Sequence, residues 1–203
     1  MKVGIVGGTG PFGRALVQRL VEAGDDVVLG SRSEERATAA ATELGASGAR
    51  NEVVCGGVDL VVLAVDADAA LETASALSAM LTAPLLSVAS RIEFAGSARP
   101  ASDGMSLAER VAEVVDVPVA AGLHSLAAGR LARGRLDEDV LVCGDEVEAK
   151  EPALELAAKV VGGRAIDVGP LAVARALEGM TAAIINVNRR YRAHAGIRLT
   201  GVP

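Results

Sequence analysis

Two kinds of hydrophobic pattern alternate along this chain. Short runs of consecutive apolar residues are separated by longer segments in which apolar residues recur at helical spacing. The short runs are typical of strands covered on both faces of a parallel sheet, and the longer segments are typical of amphipathic helices. The predicted strands lie at residues 2–6, 26–32, 59–65, 85–89, 117–121, 140–143 and 165–168. Their alternation with helices predicts an α/β fold, a doubly wound Rossmann-type sheet with helices on both faces.

Capping residues mark where several helices begin. Ser33 is the expected N-cap of the second helix, and Ser106 with Glu109 has the spacing of a capping box. Residues 90–104, rich in Gly, Ser and Pro, are predicted as a loop. The predicted helices lie at residues 12–23, 33–44, 66–81, 106–116, 147–161 and 171–192. We assign residues 1–168 to the Rossmann-type domain and residues 169–203 to a small C-terminal helical part that closes over the cleft.

The first strand leads directly into a glycine-rich turn. Gly8, Gly10 and Gly13 fit the G-x-G-x-x-G spacing of dinucleotide-binding turns. We expect Gly8 to permit the tight turn, Gly10 to let the backbone approach a pyrophosphate, and Gly13 to let the helix pack on the strand. Backbone N–H groups at the start of the helix then bind the anion, unless the turn serves without any ligand. The residues of this predicted site are Gly8, Thr9, Gly10, Pro11, Phe12 and Gly13.

The residues at the end of the second strand indicate whether the protein binds NADP(H) or NAD(H). NAD-specific sites usually have Asp or Glu here, where the side chain binds the ribose 2′-hydroxyl. This chain has Ser31 and Arg32 instead, followed by Arg36. A hydroxyl and two guanidinium groups bind a 2′-phosphate through charge-assisted hydrogen bonds, so we predict NADP(H) rather than NAD(H). In the alternative interpretation, Ser33 caps the helix and Arg36 pairs with a neighbouring carboxylate.

Composition argues against several other classes of protein. The chain has 203 residues, of which 51% are hydrophobic, but no apolar run is long enough to span a bilayer. A net charge of −6 and an aromatic content of 1% argue against nucleic acid as a partner. Cys55 and Cys143 lack the spacing of metal ligands and are predicted to be buried, and no metal site is expected. The N-terminus does not read as a signal peptide, and we predict a cytoplasmic protein.

Residues that could act in acid–base catalysis are few. The chain has two histidines and one tyrosine, and it lacks the Tyr-x-x-x-Lys, Gly-x-Ser-x-Gly and His-Glu-x-x-His patterns. Reduction of a ketone or imine normally needs a general acid beside the hydride donor, whereas transfer between two cofactors needs mainly their alignment. The pattern therefore favours transfer between cofactors. His124 follows a predicted strand, and it either donates to a carbonyl of the second ring system or bonds to the backbone as a cap.

The C-terminal segment carries only positive charges. The last acidic residue is Glu178, and it is followed by Arg189, Arg190, Arg192 and Arg198. Cations at a helix C-terminus complement the helix dipole, which accounts for the first three of these arginines. The other interpretation is a docking surface for an acidic ligand. The sequence leaves both open.

Several motifs together resemble the coenzyme F420-dependent NADP reductases. The glycine turn is generic, but a Gly-Ser-Arg, a Cys-Gly-Asp and a Gly-Pro-Leu motif in this order are specific. Glu178 and Thr181 match the closing helix of that family. The matching segments are residues 7–13, 30–32, 123–128, 142–145, 167–171 and 186–189. The resemblance covers nearly the whole chain.

The resemblance implies a homodimer in which nicotinamide and deazaflavin stack face to face in a cleft. A hydride then passes between NADP(H) and coenzyme F420, which is a cosubstrate with an acidic tail. Arginines near the C-terminus would bind that tail. Further cofactor-binding residues implied in this way are Val65, Ala89, Gly169 and Leu171.

Two loops differ from the pattern usual in that family. Residues 65–68 and 89–92 stand where the family usually has proline. Both loops can line the ring cleft, so a changed lining could favour a different acceptor. The alternatives are an NADPH-dependent reductase of a flavin or another small acceptor, and a non-catalytic NADP(H)-binding module.

Overall fold

An eight-stranded sheet with helices on both faces forms the framework of the protein. The computed structural model describes residues 1–102 and 104–202. The strands are β1 (Lys2–Val6), β2 (Asp26–Ser31), β3 (Ser47–Arg50), β4 (Leu60–Leu63), β5 (Leu85–Ser87), β6 (Ile92–Ala95), β7 (Ser97–Pro100), β8 (Val119–Gly122), β9 (Val140–Gly144) and β10 (Ala165–Asp167). The helices are α1 (Pro11–Glu22), α2 (Glu34–Leu44), α3 (Ala67–Leu77), α4 (Leu107–Ala112), α5 (Ala128–Leu131), α6 (Val147–Val160) and α7 (Ala174–Tyr191). The predicted α/β class is confirmed.

Strand direction changes once across the sheet. The order is β10-β9-β8-β5-β4-β1-β2-β3, and β6 and β7 form a separate antiparallel hairpin. All neighbouring strands of the large sheet are parallel except β8 and β9, which are antiparallel. The carboxyl ends of β1, β2, β4, β5 and β8 therefore lie along one edge, and those of β9 and β10 lie along the opposite edge. Ligands of open α/β sheets bind at carboxyl ends, so this reversal decides which loops can share a site.

The apolar strands are buried because helices cover both faces. In β1, Val3 and Ile5 belong to the core that α1, α2 and α6 cover, whereas Val6 belongs to the core under α3, α4 and α7. In β4, Leu60 and Val62 face the first of these cores. Since side chains of a strand alternate between faces, burial on both sides requires consecutive apolar residues, as the sequence shows.

Three elements were not expected from the sequence. The edge strand β3 has the sequence Ser-Gly-Ala-Arg, which has no apolar run, and it forms by parallel pairing with β2. The segment predicted as a loop contains the β6–β7 hairpin, whose turn includes Gly96 at a φ of +76°. The short helix α5 follows β8. Strand pairing, rather than local hydrophobic periodicity, stabilises β3 and the hairpin.

Candidate functional site

A cleft of about 610 Å³ opens at the edge of the sheet where β1, β2 and β4 end. Helix α3 forms one wall, and the glycine turn forms another. Seven of the residues predicted to bind a cofactor line this cleft. They are Thr9, Gly10, Pro11, Ser31, Arg32, Arg36 and Val65.

The glycine turn is tight because Gly7, rather than Gly8, adopts the left-handed conformation, with a φ of +76°. A Cβ on Gly8 would lie 2.7 Å from Cγ of Leu29, so Gly8 is required for packing on β2. A Cβ on Gly13 would lie 2.7 Å from Cα of Gly8, so Gly13 lets α1 pack on the turn. Gly8 and Gly13 therefore shape the turn and do not line the cleft, and the role predicted for Gly8 belongs to Gly7.

The start of α1 faces the cleft with its backbone donors available. Gly10 is the N-cap, and no side chain caps this helix. Pro11 occupies the first turn, where its missing N–H removes no helical hydrogen bond. The nearest atom to a Cβ on Gly10 would be the Gly7 carbonyl oxygen at 3.5 Å, so space is open beside this backbone. Phe12 packs against the core and does not line the cleft, contrary to the prediction.

The end of β2 places a hydroxyl and two cations at the other side of the cleft. Ser31 is buried, and its Oγ accepts a hydrogen bond from the Ser33 N–H at 3.4 Å. Ser33 caps α2 through Oγ, which accepts from the Arg36 N–H at 3.4 Å, as predicted. Arg32 and Arg36 are exposed, and neither pairs with a carboxylate in the part of the chain that the structure describes. The alternative in which Arg36 belongs to an ion pair is therefore wrong for these residues.

Asn51 connects the glycine turn to β2, a role that the sequence did not indicate. Its side chain is buried, and Oδ1 accepts from the Gly7 N–H at 3.2 Å. Its own backbone N–H donates to the Ser31 carbonyl at 2.9 Å. Asn51 lines the cleft directly after β3, and β3 lacks the hydrophobic pattern that would have marked a strand end here.

His124 lies in a turn with an unusual backbone, just past the carboxyl end of β8. Leu123 before it has a φ of +64°, the left-handed region that favours glycine. The His124 side chain is only 8% exposed, and neither ring nitrogen has a hydrogen-bond partner among the described residues. Burial lowers the pKa of the imidazole to about 4, so the ring is neutral at pH 7. The alternative of a ring bonded to the backbone is not seen.

Comparison with known proteins places the chain in a family. The family model "NADP oxidoreductase coenzyme F420-dependent" matches residues 2–90. The F420-dependent NADP reductase of Methanothermobacter thermautotrophicus is 36% identical, and the alignment covers 100% of this chain and 96% of that protein. The chain belongs to the F420-dependent NADP reductase family. The family indicated by the sequence motifs is therefore confirmed.

A second relative agrees with this membership, and a solved structure shares the fold. The F420-dependent NADP reductase of Methanocaldococcus jannaschii is 30% identical over 100% of this chain and 99% of its own. The crystal structure of a protein from Arthrobacter sp. FB24 matches with a TM-score of 0.83. It covers 98% of this chain and 99% of that chain at 23% identity, which supports the shared fold.

The remaining residues implied by the resemblance to this reductase family lie outside the cleft. Ala89 follows β5 at the same edge of the sheet, but it packs against the core. Gly169 and Leu171 follow β10 at the opposite edge, since β9 and β10 run antiparallel to β8. There the Gly169 carbonyl accepts from the Gly144 N–H at 3.0 Å, and the Leu171 N–H donates to Asp145 at 3.0 Å. Gly169 and Leu171 therefore do not line the nucleotide cleft, and their assignment as cofactor-binding residues stays a prediction.

The C-terminal arginines have separate environments in this family member. Arg198 pairs with Asp137 at 2.7 Å, so it is not part of a free cationic surface. Arg190 lies over the ring of Tyr191, 6.0 Å from the centroid. Arg189 is exposed in the last turn of α7, where a cation also complements the helix dipole.

The two cysteines are buried and free, as predicted. Burial raises the pKa of the Cys55 thiol to about 11 and that of Cys143 to about 12, so both stay protonated. Among residues 1–102 and 104–202, no group of three or more His, Cys, Asp or Glu side chains is arranged to hold a metal. Across the same residues, no helix has both the length and the apolar character needed to cross a membrane.

Proposed function

We propose that this chain is an oxidoreductase that transfers a hydride between NADP(H) and the deazaflavin coenzyme F420. One observation carries the NADP(H) half of the proposal. A cleft at the carboxyl edge combines uncapped helix N–H groups with Ser31 and two arginines that form no ion pair among residues 1–102 and 104–202. The two relatives are F420-dependent NADP reductases that align over 96% and 99% of their own length, which supports the second substrate.

The nucleotide fits the cleft in charge and in shape. The start of α1 and the open space at Gly10 suit a pyrophosphate, and Ser31 with Arg32 and Arg36 suits a 2′-phosphate. Three carboxylates also line the cleft, Glu52, Asp66 and Glu72. Glu52 pairs with Arg50 at 3.2 Å. Carboxylates accept hydrogen bonds from ribose hydroxyl and adenine amino groups, so they suit the uncharged parts of the nucleotide.

The protein supplies alignment and one polar contact. When bound, the cofactors themselves carry the hydride between carbon 4 of the nicotinamide and carbon 5 of the deazaflavin. The glycine turn and the arginines hold the nucleotide in register. One ring nitrogen of His124, which has no partner among the described residues, would donate a hydrogen bond to a carbonyl of the acceptor ring, where negative charge grows.

The direct test mixes purified protein with NADPH and oxidised coenzyme F420 and follows the deazaflavin absorbance. NADH in place of NADPH, and FMN in place of F420, serve as parallel controls. We expect rapid bleaching with NADPH and F420 only. Tight NADPH binding without bleaching would exclude the deazaflavin as acceptor, and bleaching with FMN instead would identify a flavin reductase.

Replacing His124 by alanine is expected to lower kcat about tenfold, because one hydrogen bond to the developing charge is lost. His124→Asn keeps an N–H donor and should retain more activity. Because the pKa of His124 is lowered to about 4, wild-type kcat should not depend on this group between pH 5 and pH 8. Steady-state rates across that pH range provide the measurement. The role would be contradicted if the wild-type kcat changed with an apparent pKa near 6.5 and the kcat of His124→Ala did not.

We infer that the protein forms a homodimer through α7 and the hairpin. Ile184, Val187 and Tyr191 follow one another along α7 at helical spacing, and Val187 and Tyr191 are exposed. Phe94 on β6 is 66% exposed. Helix α7 packs against the β6–β7 hairpin, and large apolar side chains that share one surface are typical of protein interfaces. A second copy of the chain would bury this surface.

Replacing Val187 by glutamate is expected to shift the protein to a monomer, because a charge in an apolar interface is not paired. Val147→Glu is the matched control, since Val147 is also an exposed valine but begins α6. Molar mass from light scattering after size exclusion provides the measurement. A monomeric wild type, or a dimer that tolerates Val187→Glu, would contradict this interface.

A further inference from the structure

Through Glu178, helix α7 forms hydrogen bonds to two segments at the carboxyl edge of the sheet. The Glu178 side chain is only 2% exposed. Its Oε1 accepts from the Leu107 N–H at 2.6 Å, at the start of α4. Its Oε2 accepts from the Arg91 N–H at 3.3 Å, in the segment after β5. One buried carboxylate therefore fixes two segments that are distant from it in sequence.

Thr181, three residues further along α7, extends these contacts to the loop of His124. Its Oγ1 lies 3.0 Å from the His124 carbonyl oxygen and 3.2 Å from the Leu177 carbonyl oxygen. The Ser90 Oγ lies 3.5 Å from the Thr181 Oγ1 and donates a hydrogen bond to it. A hydroxyl has one proton and two lone pairs, so Thr181 can donate to His124 while it accepts from Ser90.

The loop that receives this hydrogen bond has a backbone that needs support. Leu123 adopts a φ of +64°, which is unfavourable for a residue with a Cβ. Such conformations persist only where the surrounding structure determines them, and they occur often at functional sites. Leu123 is buried, and its carbonyl accepts from the Leu126 N–H at 3.0 Å. The Thr181 hydrogen bond fixes the next peptide, and with it the position of the His124 ring.

We propose that Glu178 and Thr181 are positioning residues for the deazaflavin side of the site, which we place at the loops after β5 and β8, at the same edge of the sheet as the nucleotide cleft. They set the loops of Ser90 and His124 relative to the deazaflavin. Neither of them lines the nucleotide cleft. The inference rests on the proposed function, because it concerns the second substrate of the same reaction. It implies that their loss affects the deazaflavin and leaves NADPH binding intact.

The test compares Thr181→Val with Thr181→Ser. Valine keeps the shape without the hydroxyl, and serine restores the hydroxyl. Thr42→Val is a matched control, because the Thr42 hydroxyl lies within hydrogen-bond distance of the carbonyl four residues earlier, as the Thr181 hydroxyl does of the Leu177 carbonyl. Among the described residues, the Thr42 side chain forms no hydrogen bond to a loop. For each variant the kcat/KM for F420, the Kd for NADPH and the Tm are measured on the full chain.

We expect kcat/KM for F420 to fall about tenfold in Thr181→Val, a loss typical of one hydrogen bond. Thr181→Ser should return to within about threefold of wild type, and Thr42→Val should not change. The Kd for NADPH should stay within about twofold throughout. Glu178→Gln replaces one acceptor oxygen by an N–H donor. In the part of this variant that folds, kcat/KM for F420 should also fall.

Three results would overturn the inference: an unchanged kcat/KM in Thr181→Val, no recovery in Thr181→Ser, or a Kd for NADPH that rises in parallel. A fall in Tm with unchanged kcat/KM would indicate a purely structural role and would overturn it as well. The proposed function fails separately, and is recognised by a wild-type protein that binds NADPH but does not reduce F420.

Discussion

Replacing Arg32 and Arg36 together by alanine is expected to weaken NADPH binding about 100-fold and to leave NADH binding within about threefold. Both guanidinium groups line the cleft beside Ser31, and neither forms an ion pair within the described residues. Each charge-assisted hydrogen bond to a phosphate contributes about 1.5–3 kcal/mol to binding. NADH has no 2′-phosphate, so its binding does not depend on these hydrogen bonds. Titration calorimetry with both nucleotides provides the measurement.

The control for this experiment is Arg133→Ala, since Arg133 is exposed but does not line the cleft. It should leave both affinities unchanged. High salt should weaken NADPH binding to wild type more than to the double variant, because screening acts on the exposed charges. If the double variant lost affinity equally for NADPH and NADH, the arginines would not bind the 2′-phosphate.

Replacing Asp139 by alanine is expected to lower the free energy of unfolding by about 3 kcal/mol. The carboxylate is fully buried and accepts from the backbone N–H of Arg164 at 2.9 Å and from its Nη2 at 2.7 Å. It also accepts from the Leu199 N–H at 2.8 Å, so it fixes the segment that follows α7. Urea unfolding at pH 7 provides the measurement.

The matched control is Asp137→Ala, two residues away. Asp137 forms an ion pair with Arg198, but both side chains are largely exposed. Such a pair contributes about 0–1 kcal/mol, so we expect a small change. Comparable losses in the two variants would mean that burial of Asp139 does not determine its contribution.

The Asp139 contribution should also depend on pH. Hydrogen bonds from Arg164 hold the pKa of Asp139 well below its usual value of 3.8. A carboxyl group with a lowered pKa stabilises the fold above its unfolded-state pKa, and this stabilisation is lost as the pH falls through the folded-state pKa. The difference between wild type and Asp139→Ala should therefore be constant from about pH 5 to pH 8 and shrink below pH 4. If the difference in free energy of unfolding between the two proteins grew below pH 4, it would contradict a lowered pKa of Asp139 in the folded protein.

The sequence by itself determined the features that depend on neighbouring residues. Ser33 and the Ser106–Glu109 pair were correctly predicted as helix caps, because a cap is formed within one helical turn. The run in β4 was correctly predicted as a strand buried on both faces, because pleating sends alternate side chains to opposite sides. The order of the motifs was enough to indicate the family, which the relatives confirm.

The tertiary structure decided which of these local features share a site. Hydrophobic periodicity does not encode strand direction, and the antiparallel pairing of β8 with β9 moves Gly169 and Leu171 to the opposite edge. Contacts between distant segments are also absent from any local pattern. Asn51 reaches Gly7, and Thr181 reaches the His124 loop, only because the sheet brings their elements together. The sequence therefore determined most of the helices and strands and indicated the family, whereas tertiary packing determined β3, the β6–β7 hairpin and the site.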